Sequence, residues 1–188
     1  NGSSQVDADE DFMSVKAKLI RRRNIFKGYC FDVNSDRVLW PNGATLERSL
    51  IVHPGITVMV PLLDKNYLIL ISQYRYGADR VLWEVPAGTL KKSEAPLLCA
   101  KRELQEEIGY QARRWTKLAA VYASPGFNTE IMHCFLAKDL KKTKSCLEPD
   151  EILRPKVFSL RETKKMMESG KIQDAKTLIA LFYFFQGI

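Results

Sequence analysis

The sequence predicts a mixed α/β sandwich preceded by a small antiparallel β subdomain. Apolar patterns along the chain predict strands, then one helix, then more strands and two closing helices, an order unlike a βαβ repeat. With 188 residues, 46% of them apolar, the chain is long enough for one sizeable core with an N-terminal elaboration. We expect a flexible segment at 1–14, an N-terminal β subdomain at 15–54 and the main domain at 55–188.

Turn signals divide the N-terminal subdomain into short strands. Residues 15–32 mix basic with β-branched and aromatic side chains, and residues 38–40 run into the turn sequence Pro41-Asn42-Gly43. Residues 44–52 then lead to a second turn sequence, His53-Pro54-Gly55. This alternation of strand and turn signals predicts an antiparallel arrangement.

The main domain begins with two apolar runs, at 56–63 and 67–74, joined by Asp64-Lys65-Asn66. Their length and β-branched content predict two buried strands that pair as a hairpin. A loop containing Pro86 and Gly88 follows.

A helix is predicted from about Ser93 to Ile108, with Ser93 as its N-cap and Gly109 as its stop. Pro96 fits its first turn, where a backbone N–H is not needed. The remaining predicted elements are strands near 118–123, 131–136 and 157–160 and helices at 161–168 and 174–185.

The predicted helix at 93–108 carries an unusual concentration of acidic side chains. At about 100° per residue, Glu103, Glu106 and Glu107 fall within an arc of roughly 100°, whereas Leu97, Leu104 and Ile108 point to another face. Like charges at this spacing repel, and the C-terminal turns of a helix favour cations. A solvated acidic face is one explanation. The other is that Arg102 neutralises one carboxylate and the rest bind a hard divalent cation such as Mg²⁺.

The spacing of the fixed residues in this stretch decides between these explanations. Gly88 is followed at set intervals by Glu94, Arg102-Glu103, Glu106-Glu107 and Gly109. Seven such identities coincide by chance in on the order of one window in 10⁸. The pattern resembles the complete signature of the Nudix hydrolase family, which implies a Nudix-type α/β/α sandwich with a mixed sheet.

The resemblance also implies a metal site and roles for its neighbours. Members of the family use divalent metals to hydrolyse a nucleoside diphosphate linked to another group. By position, Arg102 would orient a glutamate, Gly88 would permit a tight loop and Glu94 would be structural. The implied cofactor is Mg²⁺, with Mn²⁺ as an alternative, and the implied ligands are the backbone carbonyl of Ala87 and the carboxylates of Glu103, Glu106 and Glu107.

Short motifs outside this stretch are similar to the ADP-ribose pyrophosphatase branch of the family, in which the N-terminal strands commonly cross to a partner subunit. That branch implies a nucleoside diphosphate sugar as substrate and a homodimer formed through the N-terminal strands. The motifs are Pro41-Asn42-Gly43, His53-Pro54-Gly55, Gln73-Tyr74-Arg75, residues 83–88, Ser124-Pro125-Gly126 and residues 174–178.

Five residues are candidates for substrate binding. Arg75 offers a planar cationic fork for phosphate, or is a surface cation at the end of a strand. By similarity, Ser124 and Glu130 would lie along the terminal ribose and the diphosphate, although Glu130 could simply begin a strand. Gly126 is a further candidate for substrate binding. Phe26 offers a flat face for adenine, although packing in a core or dimer explains it as well.

The expected reaction is metal-assisted attack of water on a phosphorus of the diphosphate. The branch resemblance places a catalytic base in the loop Glu148-Pro149-Asp150-Glu151, with Glu148 as first choice and Glu151 as second. Glu106 is the candidate if the base lies elsewhere. A merely solvated acidic loop is an alternative explanation of this segment.

Composition constrains the remaining possibilities. A net charge of +7 favours an anionic partner. Lys16, Lys18, Arg21–Arg23 and Lys27 raise the alternative of an RNA-binding or other non-catalytic Nudix module, and a different nucleotide substrate is a further alternative. Modules of that kind often lack the carboxylates of the family signature, whereas this sequence keeps all of them. An enzyme is therefore favoured, and nucleic acid is an unlikely partner.

The location of the protein is also predicted from composition. No apolar run is long enough to span a bilayer, so we expect a soluble protein without membrane contact. The four cysteines form no CxxC pattern, which favours reduced thiols and a cytoplasmic location.

Overall fold

The computed structural model describes residues 15–145 and 152–187, which form two compact units. One unit contains residues 15–53 and 124–129, and the other contains residues 54–123, 130–145 and 152–187. The predicted flexible segment at 1–14 lies outside the described residues. None of the described helices is long and apolar enough to cross a membrane.

The first unit is built on a three-stranded antiparallel sheet, in the order β1 (Lys18–Lys27), β2 (Asp32–Leu39) and β3 (Thr45–Val52). Gly43, at a φ of +84°, closes the turn between β2 and β3, where the Asn42 side chain accepts a hydrogen bond from the Ala44 N–H. The expectation of an antiparallel N-terminal subdomain is confirmed.

The second unit contains two further sheets. Strand order is β7-β4-β9-β8 in a mixed sheet and β10-β5-β6 in an antiparallel sheet, and β4 and β9 are the parallel pair. The strands are β4 (Ile56–Pro61), β5 (Tyr67–Arg75), β6 (Arg80–Glu84), β7 (Ala87–Thr89), β8 (Tyr110–Tyr122), β9 (Ile131–Lys142) and β10 (Leu153–Ser159), and the helices are α1 (Pro96–Ile108), α2 (Leu160–Glu168) and α3 (Ala175–Gln186).

Alternating side chains of the central strands pack against helices on two sides. Met59 and Ile69 belong to one buried cluster with Leu104 of α1. Their neighbours Val58 and Leu68 belong to a second cluster, which includes residues of α2 and α3. Because successive residues of a strand face opposite ways, α1 covers one side of the strands and α2 and α3 cover the other. The predicted α/β/α sandwich is confirmed.

Two local expectations are wrong. The runs at 56–63 and 67–74 meet at an isolated antiparallel bridge, Leu62 with Leu68, but do not form the expected hairpin ladder. Strand β4 instead pairs with β7 and β9. Helix α1 begins at Pro96 and not at Ser93, which has a φ of +63° in the preceding turn. Gly109 ends α1 in the left-handed conformation, as expected. The two closing helices differ from prediction by one residue at their ends.

Candidate active site

Helix α1 buries two of the acidic side chains that the sequence placed on a separate charged face. Glu103 is 8% exposed and Glu107 is 3% exposed, whereas Leu97 is 36% exposed. Leu104 and Ile108 of the predicted apolar face are buried too, whereas Leu97 of that face is exposed. The helix also packs its glutamates beside the backbone of the strand β7. Carboxylates are seldom buried without a partner, so their contacts define the site.

Glu107 contacts Ala87, the first residue of β7. The Ala87 N–H donates a hydrogen bond to Glu107 Oε2 over 3.1 Å. Ala87 is also the residue whose carbonyl is the expected fourth metal ligand. The residue that supplies the predicted carbonyl ligand is thus hydrogen-bonded, through its N–H, to the Glu107 carboxylate.

Glu103 packs against Gly88. A Cβ atom built on Gly88 would overlap the carboxyl group of Glu103. Gly88 has no positive φ, so the close approach of the backbone to a side chain, rather than backbone conformation, is what requires glycine here.

Arg102 joins three carboxylates and not the single one expected. Its Nε and Nη2 donate to the two oxygens of Glu94 over 3.0 Å each, and its Nη1 donates to Glu103 over 2.6 Å and to Glu106 over 2.9 Å. These bonds, led by the one to Glu94, raise the pKa of Arg102. Arg102 therefore offsets much of the repulsion among the glutamates of α1.

Glu94 has a structural role, as the sequence suggested. Hydrogen bonding to Arg102, followed by that to the Lys91 N–H, lowers the pKa of Glu94 from 4.5 to about 2. A group whose pKa falls on folding stabilises the folded state above its unfolded pKa, and this contribution is lost as the pH falls through its folded pKa.

We expect Glu94→Gln to lower the free energy of unfolding by about 1–3 kcal/mol at pH 7 because it removes charge-assisted hydrogen bonds. The difference from wild type should shrink as the pH falls from about 5 towards 2, and urea unfolding across this range measures it. Glu168→Gln, at an exposed position ending α2, is the matched control. A Glu94→Gln deficit that stays constant with pH would contradict this assignment.

Cys99 lies beneath the same turn of α1. It is fully buried and contacts Thr57 Oγ1 at 3.5 Å and Arg102 Nη2 at 3.3 Å. Burial raises its pKa to about 11, so the thiol stays protonated and packs rather than reacts. Cys30 and Cys134 are also free thiols.

The donor chemistry of the site fits a hard divalent cation. Glu103, Glu106 and Glu107 supply carboxylate oxygens, and Ala87 supplies a carbonyl oxygen, which are the ligand types that Mg²⁺ and Mn²⁺ take. Within residues 15–145 and 152–187, no three His, Cys, Asp or Glu side chains are already grouped as a metal site. Glu106 Oε2 in particular is paired with Arg102, so this oxygen would have to change partner to bind a cation.

Arg75 contacts a buried acid that the sequence did not single out. Its Nε and Nη2 donate to Glu84 Oε1 and Oε2 over 2.8 Å and 2.6 Å. The Glu84 side chain is fully buried, whereas that of Arg75 is 39% exposed. Both residues lie in the second unit. Glu84 is the last residue of β6 and precedes Ala87 by three residues.

The other predicted site residues divide between the two units. Phe26 is 55% exposed on β1 of the first unit, and Ser124 and Gly126 lie in its segment 124–129. Glu130 lies in the second unit. Glu148 and Glu151 fall outside the described residues. In the second unit, Ala87 is hydrogen-bonded to Glu107, and Arg102 joins Glu103 to Glu106. The metal-binding, catalytic and substrate-binding roles of all these residues stay predictions.

Comparison with known proteins identifies the family. The NUDIX domain matches residues 53–181, more than half of the chain. The chain belongs to the NUDIX family. The matched range contains Gly88, Arg102 and all three glutamates of α1.

Several similar proteins match almost the whole chain. An ADP-ribose pyrophosphatase of Bacillus subtilis (strain 168) is 38% identical over 90% of this chain and 93% of its own length. A methanol dehydrogenase activator of Bacillus methanolicus is 35% identical over 88% and 91%. A GDP-mannose pyrophosphatase of Yersinia enterocolitica is 33% identical over 91% and 96%.

A solved structure shares the same fold. The crystal structure of an ADP compounds hydrolase superposes with a TM-score of 0.80, at 24% identity, over 91% of this chain and 93% of that one. The shared fold therefore includes nearly the whole chain and not the α1 region alone.

Proposed function

We propose that the protein is a NUDIX pyrophosphohydrolase that uses a divalent metal to cleave the diphosphate of ADP-ribose or a related nucleoside diphosphate sugar. The products would be a nucleoside monophosphate and a sugar phosphate. The observation that carries the proposal is the placement of Glu103 and Glu107, two buried carboxylates, beside Gly88 and Ala87. The relatives named as ADP-ribose and GDP-mannose pyrophosphatases support this substrate class.

Four groups would hold the metal, namely the carboxylates of Glu103, Glu106 and Glu107 and the Ala87 carbonyl. Mg²⁺ is the proposed ion, and Mn²⁺ would substitute for it. When bound, such an ion neutralises phosphate charge and lowers the pKa of a bound water. Arg102 orients Glu103 and Glu106 through hydrogen bonds, and the Ala87 N–H fixes the Glu107 carboxylate.

A carboxylate is proposed as the base that accepts the proton of the attacking water. Glu148 is the first candidate and Glu151 the second, both in the loop at 148–151. Glu106, whose side chain is 30% exposed, is the third candidate. Its ion pair with Arg102 occupies one of its oxygens.

Five residues are proposed to recognise the substrate. Arg75 would bind the diphosphate, Ser124, Gly126 and Glu130 would lie along the diphosphate and terminal ribose, and Phe26 would contact adenine. We also propose a homodimer through the N-terminal strands, and a cytoplasmic location. Strand β1 supports the dimer, because all ten of its residues are exposed and an open strand edge can pair with another chain.

A non-catalytic RNA-binding module is the competing function. Its support is the basic sequence of β1, although one of these cations, Arg22, is already paired with Asp36 through two hydrogen bonds. Binding of that kind would weaken steeply with salt. The intact acidic set of α1 favours the enzyme.

A substrate screen tests the proposed function. ADP-ribose, GDP-mannose, a dinucleoside polyphosphate and an oxidised nucleotide are incubated with Mg²⁺, Mn²⁺ or EDTA, and the products are separated by ion-exchange chromatography. We expect metal-dependent release of AMP and ribose 5-phosphate from ADP-ribose, or of the corresponding products from GDP-mannose, and no product with EDTA. Absence of hydrolysis of both nucleotide sugars, together with salt-sensitive RNA binding, would contradict the proposal.

A further inference from the structure

Lys176, at the start of α3, reaches the same buried acid as Arg75. Its ammonium group donates to Glu84 Oε2 and, over 2.9 Å, to Asp174 Oδ1. The Lys176 side chain is 14% exposed and that of Asp174 is 16% exposed. A fully buried carboxylate is therefore shared between a lysine of α3 and an arginine of β5.

The same turn of α3 also fixes the backbone that follows Glu84. Asp174 Oδ2 accepts hydrogen bonds from the Thr177 N–H and hydroxyl over 2.9 Å and 2.6 Å. The Thr177 oxygen in turn accepts from the Val85 N–H over 3.0 Å. Thr177 and Val85 are both fully buried.

Residues 85–87 connect Glu84 to the strand β7, and each of them is held by a hydrogen bond. Val85 is bonded to Thr177, the Pro86 carbonyl accepts from the Met59 N–H over 2.9 Å, and the Ala87 N–H donates to Glu107. The start of α3 thus holds the segment that supplies the predicted Ala87 ligand, although α3 itself contributes no predicted site residue.

The side chains of Arg75, Glu84, Asp174 and Lys176 form a cluster whose charges balance. Glu84 and Asp174 are acidic, and Arg75 and Lys176 are basic, so the cluster is neutral. Without Lys176 it would carry one net negative charge, next to Glu107, whose charge already acts on Arg75. An anionic diphosphate would then meet repulsion where it needs a cation.

The Nη1 end of the Arg75 guanidinium is available to a further partner. Its Nε and Nη2 bind Glu84, and in the part of the chain that the structure describes Nη1 makes no hydrogen bond. A guanidinium held along one edge keeps its orientation and presents its remaining N–H groups in a fixed direction.

We infer that Lys176 is a positioning residue for hydrolysis: by sharing Glu84 with Arg75, it leaves the Nη1 end of Arg75 oriented and electrostatically available to a diphosphate oxygen of the substrate. This inference rests on the proposed function. It assigns the Lys176-Glu84 pair a role in substrate binding that acts only through Arg75.

A double-mutant cycle tests this inference with Lys176→Met, Arg75→Gln and the double variant. KM and kcat for ADP-ribose are measured with Mg²⁺, and the Kd for ADP-ribose is measured by calorimetry with Ca²⁺. We expect Lys176→Met to keep kcat within about threefold of wild type and to raise KM and Kd about tenfold. A tenfold change corresponds to the loss of one charge-assisted contact. In the Arg75→Gln background the same change should have almost no further effect.

Controls separate positioning from folding. Lys176→Arg should restore most of the affinity, and Lys164→Met, at an exposed position of α2, should behave as wild type. If Lys176→Met melts far below wild type, Lys176→Gln, which keeps a donor beside Glu84, replaces it in the cycle.

Additive effects of the two substitutions, or failure of Lys176→Arg to restore affinity, would overturn the inference. So would wild-type affinity in Lys176→Met. Absence of turnover in the wild type would refute the proposed function instead, because the Kd cycle still tests Lys176.

Discussion

Replacing Glu107 with glutamine is expected to reduce kcat by about 10³-fold. Glutamine has nearly the same shape, and its amide oxygen can still accept the Ala87 N–H, so the packing of α1 should survive. The substitution removes one of the negative charges that would hold the metal, and several kcal/mol of transition-state stabilisation depend on that metal.

This expectation is checked by steady-state kinetics over a range of Mg²⁺ concentrations, together with the melting temperature. Glu168→Gln is the matched control, since it makes the same chemical change at an exposed position of α2. If Glu107→Gln kept kcat within about threefold of wild type at the same Mg²⁺ concentration, Glu107 would not be a metal ligand.

Gly88→Ala is expected to reduce kcat by about 10²-fold or more. The added methyl group would overlap the Glu103 carboxyl, so either Glu103 or the backbone at 87–88 must move, and both are parts of the proposed metal site. Overpacking of this kind also lowers the free energy of unfolding by about 1–3 kcal/mol.

Gly77→Ala is the matched control for Gly88→Ala, because a methyl group on Gly77 meets no atom within 4 Å among the described residues. Both variants are compared in kcat, in the Mg²⁺ concentration for half-maximal rate and in urea unfolding. Equal and near-normal rates in the two variants would show that the contact of Gly88 with Glu103 does not matter for activity.

The parts of the site that follow local spacing could be predicted from the sequence. A helix carrying Glu103, Glu106 and Glu107 follows from 3.6-residue periodicity, and the stop at Gly109 follows from the preference of that position for glycine. The burial of Glu103 and Glu107 could not be predicted in this way, because it depends on which strand backbone packs over the helix.

Contacts between distant parts of the chain were not predictable from periodicity. Arg75 and Glu84 meet across two antiparallel strands, and Lys176 reaches Glu84 from a helix 92 residues further along the chain. The motifs at 83–88 and 174–178 contain the two residues of the Glu84–Lys176 contact, but their sequences do not indicate that the two segments meet. Strands β6 and β7 were missed because Pro86 and Gly88 between and within them are typical of loops.

The hairpin expected between β4 and β5 failed for a related reason. Two adjacent apolar runs pair only if each has a free edge, and the parallel pairing of β4 with β9 takes the edge that β5 would need. Pairing partners separated by some 75 residues leave no signal in local composition.

The central claim is that the glutamates of α1 hold divalent metal against a substrate diphosphate, and a crystal structure with Mg²⁺ and a nonhydrolysable ADP-ribose analogue tests it most directly. We predict that Glu106 leaves Arg102, and that metal density lies between the diphosphate and the oxygens of Glu103, Glu106, Glu107 and Ala87. The account would be contradicted by an analogue bound at another surface, with Glu106 still paired with Arg102 and no metal on α1.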